Sequence, residues 1–179
     1  TKPPTVSTSS SSAKSKFILK YLSKSSTLYD AFTSSIFSSF LIISSSYADQ
    51  VVVTDGDTIR IDGERIRFSG IDAPELKQTC LYQDIEFQCG EFSKNLLIEK
   101  IANQNINCVR ESTDQYGRTL AECFIGQESL SRFLVRAGYA FAYRKYSKKF
   151  IKDEEYAMKK GIGMWSTDFL FPWDFRKVR

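Results

Sequence analysis

The chain contains no histidine among its 179 residues. That removes serine–histidine triads, histidine-nucleophile phosphodiesterases and the usual zinc sites together, so any catalysis must rest on carboxylates, arginine, lysine, tyrosine or a bound metal. The four cysteines, Cys80, Cys89, Cys108 and Cys123, are even in number and match no zinc spacing. In an exported chain they read as disulfides, and in a cytosolic one as buried thiols. Long apolar runs are missing too: the nearest, AFTSSIFSSFLII at residues 31–43, is too short to span a bilayer. No internal repeat is present.

A true excess of positive charge is also lacking. The formal +4 is contributed by residues 1–48, with five lysines and one aspartate, and the remainder balances 20 basic against 20 acidic side chains. Whole-chain basicity is therefore no argument for a polyanionic partner. The distribution says more, because residues 49–128 hold 8 basic and 15 acidic groups while residues 129–179 hold 12 and 5. An acidic half suits a cation and a basic half suits a polyanion.

Residues 1–30 are serine-rich, lysine-bearing and poor in anything that could bury a face, and they read as disordered. The semi-apolar run that follows ends in SSSYA, where Ser46 and Ala48 fit a small-x-small cleavage site. The expectation is a disordered leader with a signal peptide over 1–48, cleaved before Asp49, and one domain over 49–179. A transit peptide and a plain tail are the competing readings. Export implies a secreted or periplasmic protein, membrane-tethered if the leader stays uncleaved.

Asp62-Gly63 lies between two alternating runs, a strong hairpin signal. A two-residue turn there sets Ile59 opposite Ile66 and Arg67 opposite Thr58, next to Asp57. Asp72 follows Arg67 by five residues, the wrong parity for one face, so the chain must bend between them, and Gly70 can do it. Residues 74–89 read as an irregular loop bracketed by cysteines. Helices are expected over 91–102, through Leu130, Phe133, Leu134 and Ala137, and from Asp153 to Lys160 ahead of Gly161. Strands are expected at 50–54, 106–111, 119–125 and 139–143. Asp114-Gln115-Tyr116-Gly117 carries a type I turn signature. A four-residue turn there opposes Cys108 to Cys123 at a distance that suits a disulfide, leaving Cys80 with Cys89. The order of elements points to an α+β domain built on a small closed antiparallel barrel.

DGDT at 55–58, RFSGIDAPE at 67–75, DQYGR at 114–118, LVRAGYA at 134–140 and GMWS at 163–166 resemble, in order and spacing, the staphylococcal nuclease-like family. The resemblance runs from about Val51 onward. It implies a five-stranded antiparallel OB-fold barrel with three helices. It also implies calcium-dependent hydrolysis of DNA and RNA phosphodiesters leaving 3′-phosphate ends. The expectation beside it is a monomer with no stable protein partner and single strands favoured as substrate, the basic YRKYSKK loop at 143–149 reading equally as a solvated face or as a groove for single-stranded nucleic acid. By position, Asp57 and Asp72 resemble the calcium-holding carboxylates, Glu75 the residue that orients or deprotonates water, and Arg67 and Arg118 the phosphate clamps. Ala73 stands where many relatives have threonine, a position that offers mainly its carbonyl. Tyr143 and Tyr146, with Lys145, match the family's nucleotide-pocket tyrosines loosely.

Two plainer readings compete. Single aspartates usually cap turns and single arginines usually decorate surfaces, and a catalytically silent OB module would bind nucleic acid or protein without cutting. Such a module would be marked by loss of one of the five polar positions, and all five are kept.

Overall fold

The computed structural model describes residues 50–178; the expected leader over 1–48 and its cleavage site lie outside the described residues. β-Branched Val51 to Val53 open strand β1 (Val51–Asp55). A hairpin of β2 (Thr58–Ile61) and β3 (Glu64–Phe68) follows. Asp62 and Gly63 take φ of 48° and 87°, the pair of positive values that a type I′ turn requires. Ile59 therefore faces Ile66 and Thr58 faces Arg67, and one face of the hairpin, with Ile59, Ile66 and Phe68, is buried.

The remaining elements are β4 (Ile71–Asp72), β5 (Cys80–Tyr82), β6 (Ile85–Phe87), α1 (Cys89–Ile101), β7 (Ile106–Thr113), β8 (Thr119–Ile125), β9 (Glu128–Ser129), α2 (Leu130–Arg136), β10 (Phe141–Ala142), α3 (Ile151–Lys160), a 3-10 turn at Gly163–Ser166, and α4 (Pro172–Val178). The main sheet runs β1-β2-β3-β8-β7, with β9 paired to β8. Leu97 of α1 and Leu130, Leu134 and Val135 of α2 pack on its inner face. Each such fully buried apolar side chain contributes about 1.5–3 kcal/mol. Among the described residues no helix is long and apolar enough to cross a membrane.

This corrects the expectation of a closed, purely antiparallel barrel with three helices. β3 and β8 pair in parallel, because the chain between them makes a long crossover through α1, which is what a parallel neighbour requires. The strand path ends at β1 and β7 without closing, though its order is consistent with an OB-type arrangement. The fourth helix, α4, begins at Pro172 with Asp174 in its first turn and Arg176 and Lys177 in its last, a favourable layout for the helix dipole. Seven residues are too few to show a periodic stripe. The loop over 74–89 contains the β5–β6 hairpin, whose turn at Gln83 and Asp84 takes positive φ without a glycine to signal it.

Two differences offset each other around the Cys108–Cys123 disulfide. The β7–β8 loop has five residues, since Thr113 pairs with Thr119, and the register slips back between Arg110 and Ser112. Glu111 is the extra residue. One added residue in the loop and one in the strand restore Cys108 opposite Cys123. Asp114 accounts for the longer loop: its carboxylate accepts from the backbone N–H of Tyr116 and of Arg118, both at 2.9 Å, closing an Asx-type turn.

The chain after α3 packs back on β10. Phe141 meets Trp165, Phe169, Phe171 and Trp173, with ring centroids 5.0–6.2 Å apart. On its other edge β10 pairs with β4, placing Phe141 opposite Asp72. α3 docks through ion pairs as well as through Ile151 and buried Ala157. Asp153 pairs with Arg132 and Arg136 of α2 at 3.3 and 3.1 Å, and buried Glu154 accepts the Ala142 N–H at 3.0 Å.

The 15-residue span closed by Cys108–Cys123 is worth about 3 kcal/mol by loop entropy. Cys108→Ala with Cys123→Ala should lower unfolding stability by about that amount in urea titrations. Non-reducing peptide mapping should join these two cysteines, and a Cys80–Cys108 peptide would overturn both the pairing and the register.

Candidate active site

Asp57 sits in the turn between β1 and β2, a position reached by an unusually close approach of backbone. A Cβ on Gly56 would lie 2.2 Å from Ser93 Oγ and 2.8 Å from the Ala73 Cβ, so only glycine lets this turn lie against both α1 and the segment after β4. The Asp57 carboxylate is buried. Its Oδ2 accepts the Ala73 N–H at 2.7 Å and its Oδ1 accepts the Thr58 hydroxyl at 3.2 Å.

Arg67, directly opposite Thr58, points its guanidinium into the same space. Its Nη1 pairs with Asp57 Oδ1, and its Nη2 with Asp72 Oδ1 at 2.7 Å. The parity problem between Arg67 and Asp72 is solved where the sequence placed it: Gly70 takes φ +74°, the chain reverses, and β4 brings Asp72 back to the arginine. Both aspartates are thus held on one guanidinium.

Glu75 is fixed through its backbone. A Cβ on Gly90 would fall 1.8 Å from the Glu75 carbonyl oxygen, so the first turn of α1, tied down by the Cys80–Cys89 disulfide, lies flat against it. The Glu75 N–H donates to Gln78 Oε1 at 3.3 Å, and buried Gln78 in turn donates to the Leu170 carbonyl at 2.6 Å. The Glu75 side chain meets a residue that the sequence did not single out. Arg176 of α4 donates to Glu75 Oε1 at 2.7 Å and to Asp72 Oδ2 and Oδ1 at 2.6 and 3.3 Å. In the sequence Arg176 is one cation in an aromatic tail, residues 165–179, and Pro172 at the start of a short helix is the signal that could have pointed to it.

Asp57, Arg67, Asp72 and Glu75 therefore form one cluster. Arg118 does not touch it: its Nε and Nη2 contact Asp114 Oδ2 at 2.8 and 2.7 Å, and its guanidinium lies 5.5 Å from the Tyr116 ring centre. The residues after β10 form a separate feature. Tyr143 stacks parallel on Trp173 at 5.6 Å and meets Tyr146 edge-on at 4.9 Å, and Lys145 lies 5.3 Å from the Tyr146 ring. Between them an open groove of about 400 Å³ is lined by Ala142, Tyr143, Arg144, Lys145, Trp173 and Lys177.

The cluster is short of positive charge. Burial, reinforced by Asp55, pushes the Asp57 carboxyl up to about 6 against the pull of Arg67. Burial likewise raises Asp72 although two arginines oppose it. Burial works against the charge on Arg67, yet Asp57 and Asp72 hold its pKa above the ordinary value. Asp57, Asp72 and Glu75 thus share two guanidiniums, with the Asp55 carboxylate close by on the Asp57 N–H. Among the described residues no three acidic or cysteine side chains converge as a ready coordination shell. Two adjacent buried carboxylates with charge to spare are nevertheless hard oxygen donors, and they fit calcium or magnesium rather than a softer metal.

Comparison with known proteins gives the cluster a context. Residues 65–167 match the family model described as staphylococcal nuclease homologue. A protein named uncharacterized endonuclease from Haemophilus influenzae is 30% identical over 125 residues, 66% of this chain and 65% of the relative. One of the same name from Escherichia coli O157:H7 is 30% identical over 151 residues, covering 79% of this chain and 92% of the relative. The thermonuclease of Staphylococcus intermedius is 34% identical over 125 residues, 63% and 72% of the two chains. The match spans just under two thirds of the Haemophilus protein.

The Asp57 shift has a measurable sign. Its folded pKa is raised from 3.8 to about 6, so the protonated form is favoured on folding; that contribution is complete below the unfolded value and lost as pH rises through the folded one. With a chelator present, unfolding free energy should fall from pH 4 to pH 6.5 by on the order of 2 kcal/mol more in the parent than in Asp57→Asn. Equal slopes in urea titrations would contradict the burial argument.

Proposed function

The chain belongs to the staphylococcal nuclease family, and from that premise we propose that it is a calcium-dependent nuclease that hydrolyses DNA and RNA phosphodiesters to 3′-phosphate ends. The observation that carries the reading is the cluster itself: two buried carboxylates, a shared arginine and a glutamate at its edge, in a fold whose relatives include named endonucleases.

In this reading Asp57 and Asp72 hold the cation. When bound, a hard divalent ion supplies positive charge to the non-bridging phosphate oxygens. Arg67 is oriented by its two carboxylates, and its guanidinium has five N–H donors, so donors remain for the phosphate. Glu75 accepts a proton from the water whose oxygen bonds to phosphorus, the P–O5′ bond breaks, and the departing 5′-oxygen takes up a proton from solvent to leave as a hydroxyl. Arg118 exchanges Asp114 for the phosphate, stabilising the charge that builds on phosphorus in the transition state. The aromatic and basic groove of Tyr143, Trp173 and Lys145, with Tyr146 packed against Tyr143 beside it, supports a preference for single strands, since aromatic rings stack on any unpaired base.

We also infer an oxidising destination, secreted or periplasmic, for a monomer. The two disulfides support it, and an N-terminus beginning at Asp49 on protein recovered from its host would test the cleavage.

The activity test is incubation with denatured DNA and with RNA, in calcium or in chelator. Cleavage should require calcium and leave 3′-phosphate ends; intact substrate under all conditions would favour a silent binding module. Three variants separate the roles. Asp72→Asn should weaken calcium binding and recover some activity at high calcium. Glu75→Gln should keep calcium binding and lose about 10²- to 10⁴-fold in kcat. Arg118→Lys keeps the charge without the fork, so a large loss in kcat marks bidentate contact in the transition state. If all three stay within a fewfold of the parent at saturating calcium, the site assignment is wrong.

A further inference from the structure

We propose that Arg176 is a tethered counter-ion for the site: it occupies Asp72 and Glu75 in the metal-free protein and must leave them when a divalent cation binds. The inference rests on the cation reading above and adds a competitor within the chain. Both Asp72 oxygens are taken by guanidinium donors. Arg176 Nη2 lies 2.6 Å from Oδ2, and Oδ1 is shared between Arg176 Nη1 at 3.3 Å and Arg67 Nη2 at 2.7 Å. The same Nη1 covers Glu75 Oε1 at 2.7 Å. A cation needs the outward lone pairs of these oxygens, and the Arg176 guanidinium already occupies Asp72 Oδ2 and Glu75 Oε1, so a third positive charge added beside the two arginines meets repulsion that is relieved when Arg176 leaves.

Of the two arginines, Arg176 is the one able to move. The Arg67 side chain is 16% exposed, rises from the middle of a paired strand and is gripped by two carboxylates, whereas the Arg176 side chain is 38% exposed in the last turn of a seven-residue helix. α4 also has a second attachment that does not involve the site. Pro172 is buried, and Trp173 stacks on Tyr143 and, at 4.6 Å, on Phe171. The guanidinium can therefore swing off Asp72 while the aromatic end of the helix stays docked. Because coupling is reciprocal, whatever Arg176 contributes to the metal-free protein is subtracted from cation affinity.

The test compares the full-length parent with Arg176→Gln and Arg176→Lys. Calcium binding is followed by calorimetry, and thermal unfolding is followed in chelator and at saturating calcium. Arg176→Gln should bind calcium about tenfold more tightly than the parent, within the usual range of coupling between sites, with Arg176→Lys between them. In chelator Arg176→Gln should melt below the parent, because Asp72 loses a counter-ion, and at saturating calcium that deficit should shrink or vanish. Calcium binding by Arg176→Gln alone would also support the exchange. Equal or weaker affinity in Arg176→Gln, the same melting deficit in both conditions, or no calcium binding by any of the three proteins would overturn it. The function above fails by a different result, cleavage without calcium or no cleavage at all, so the two can be told apart.

Discussion

Two carboxylates buried on one guanidinium are the constraint on which this site depends. Neither Asp57 nor Asp72 could be held ionised at such depth alone, since the desolvation penalty per ion is several kcal/mol. Each is relieved by Arg67 and by further donors: the Ala73 N–H and the Thr58 hydroxyl for Asp57, and Arg176 for Asp72. The relief is incomplete, because both carboxyls still stand above their ordinary pKa. A native state that leaves carboxylates under-compensated is not optimised for stability there, and such strain is commonly found where a site must bind a charge from outside.

Much of the scaffold exists to keep that arrangement rigid. Asp57 is placed by a turn that tolerates no Cβ at Gly56, Arg67 by the register of a type I′ hairpin, Asp72 by the reversal at Gly70 and by pairing with Phe141, and Glu75 by the flat contact with Gly90. The Phe141 cluster then connects the site to the last stretch of the chain. A single strand pair, β4 with β10, has Asp72 opposite the residue on which four aromatic rings converge. Packing energy from those rings, about 0.5–1.5 kcal/mol per pair beyond area burial, is thereby applied to the position of a carboxylate.

What was legible in the sequence was local. The Asp-Gly turn, the Ile59–Ile66 register and the need for a bend at Gly70 follow from parity and turn chemistry, and the structure has all three. The Cys108–Cys123 opposition was reached through a turn one residue too short and a strand taken as regular, two differences that offset. What sequence could not carry was non-local. The parallel β3–β8 contact depends on where a long crossover returns, and Arg176 reaches Asp72 across 104 positions of chain. No periodicity reports a contact of that separation. α3 was legible by its ends and not by its face, because Asp153 and Glu154 bury themselves as ion-pair partners of Arg132, Arg136 and Arg144.

The charge asymmetry of the chain takes on a different meaning in three dimensions. Residues 129–179 are strongly basic, and read alone they suggest a field aimed at a polyanion. Several of those cations are already engaged. Arg176 lies on Asp72 and Glu75, Lys149 on Glu122, Arg144 on Glu154, and Arg132 and Arg136 on Asp153. The basic half partly neutralises the acidic half and itself. The field seen by an approaching phosphate is therefore set less by net charge than by which cations lack a firm carboxylate, and Lys145 at the aromatic groove is better placed for that than the arginines, whereas Lys177 beside it already pairs with Asp174 at 2.8 Å. On the proposed reading the arginines serve mainly to organise buried carboxylates at fixed positions, and an incoming cation or phosphate would bind by exchange with pairs that already exist, which would give selectivity for ligands able to replace a guanidinium.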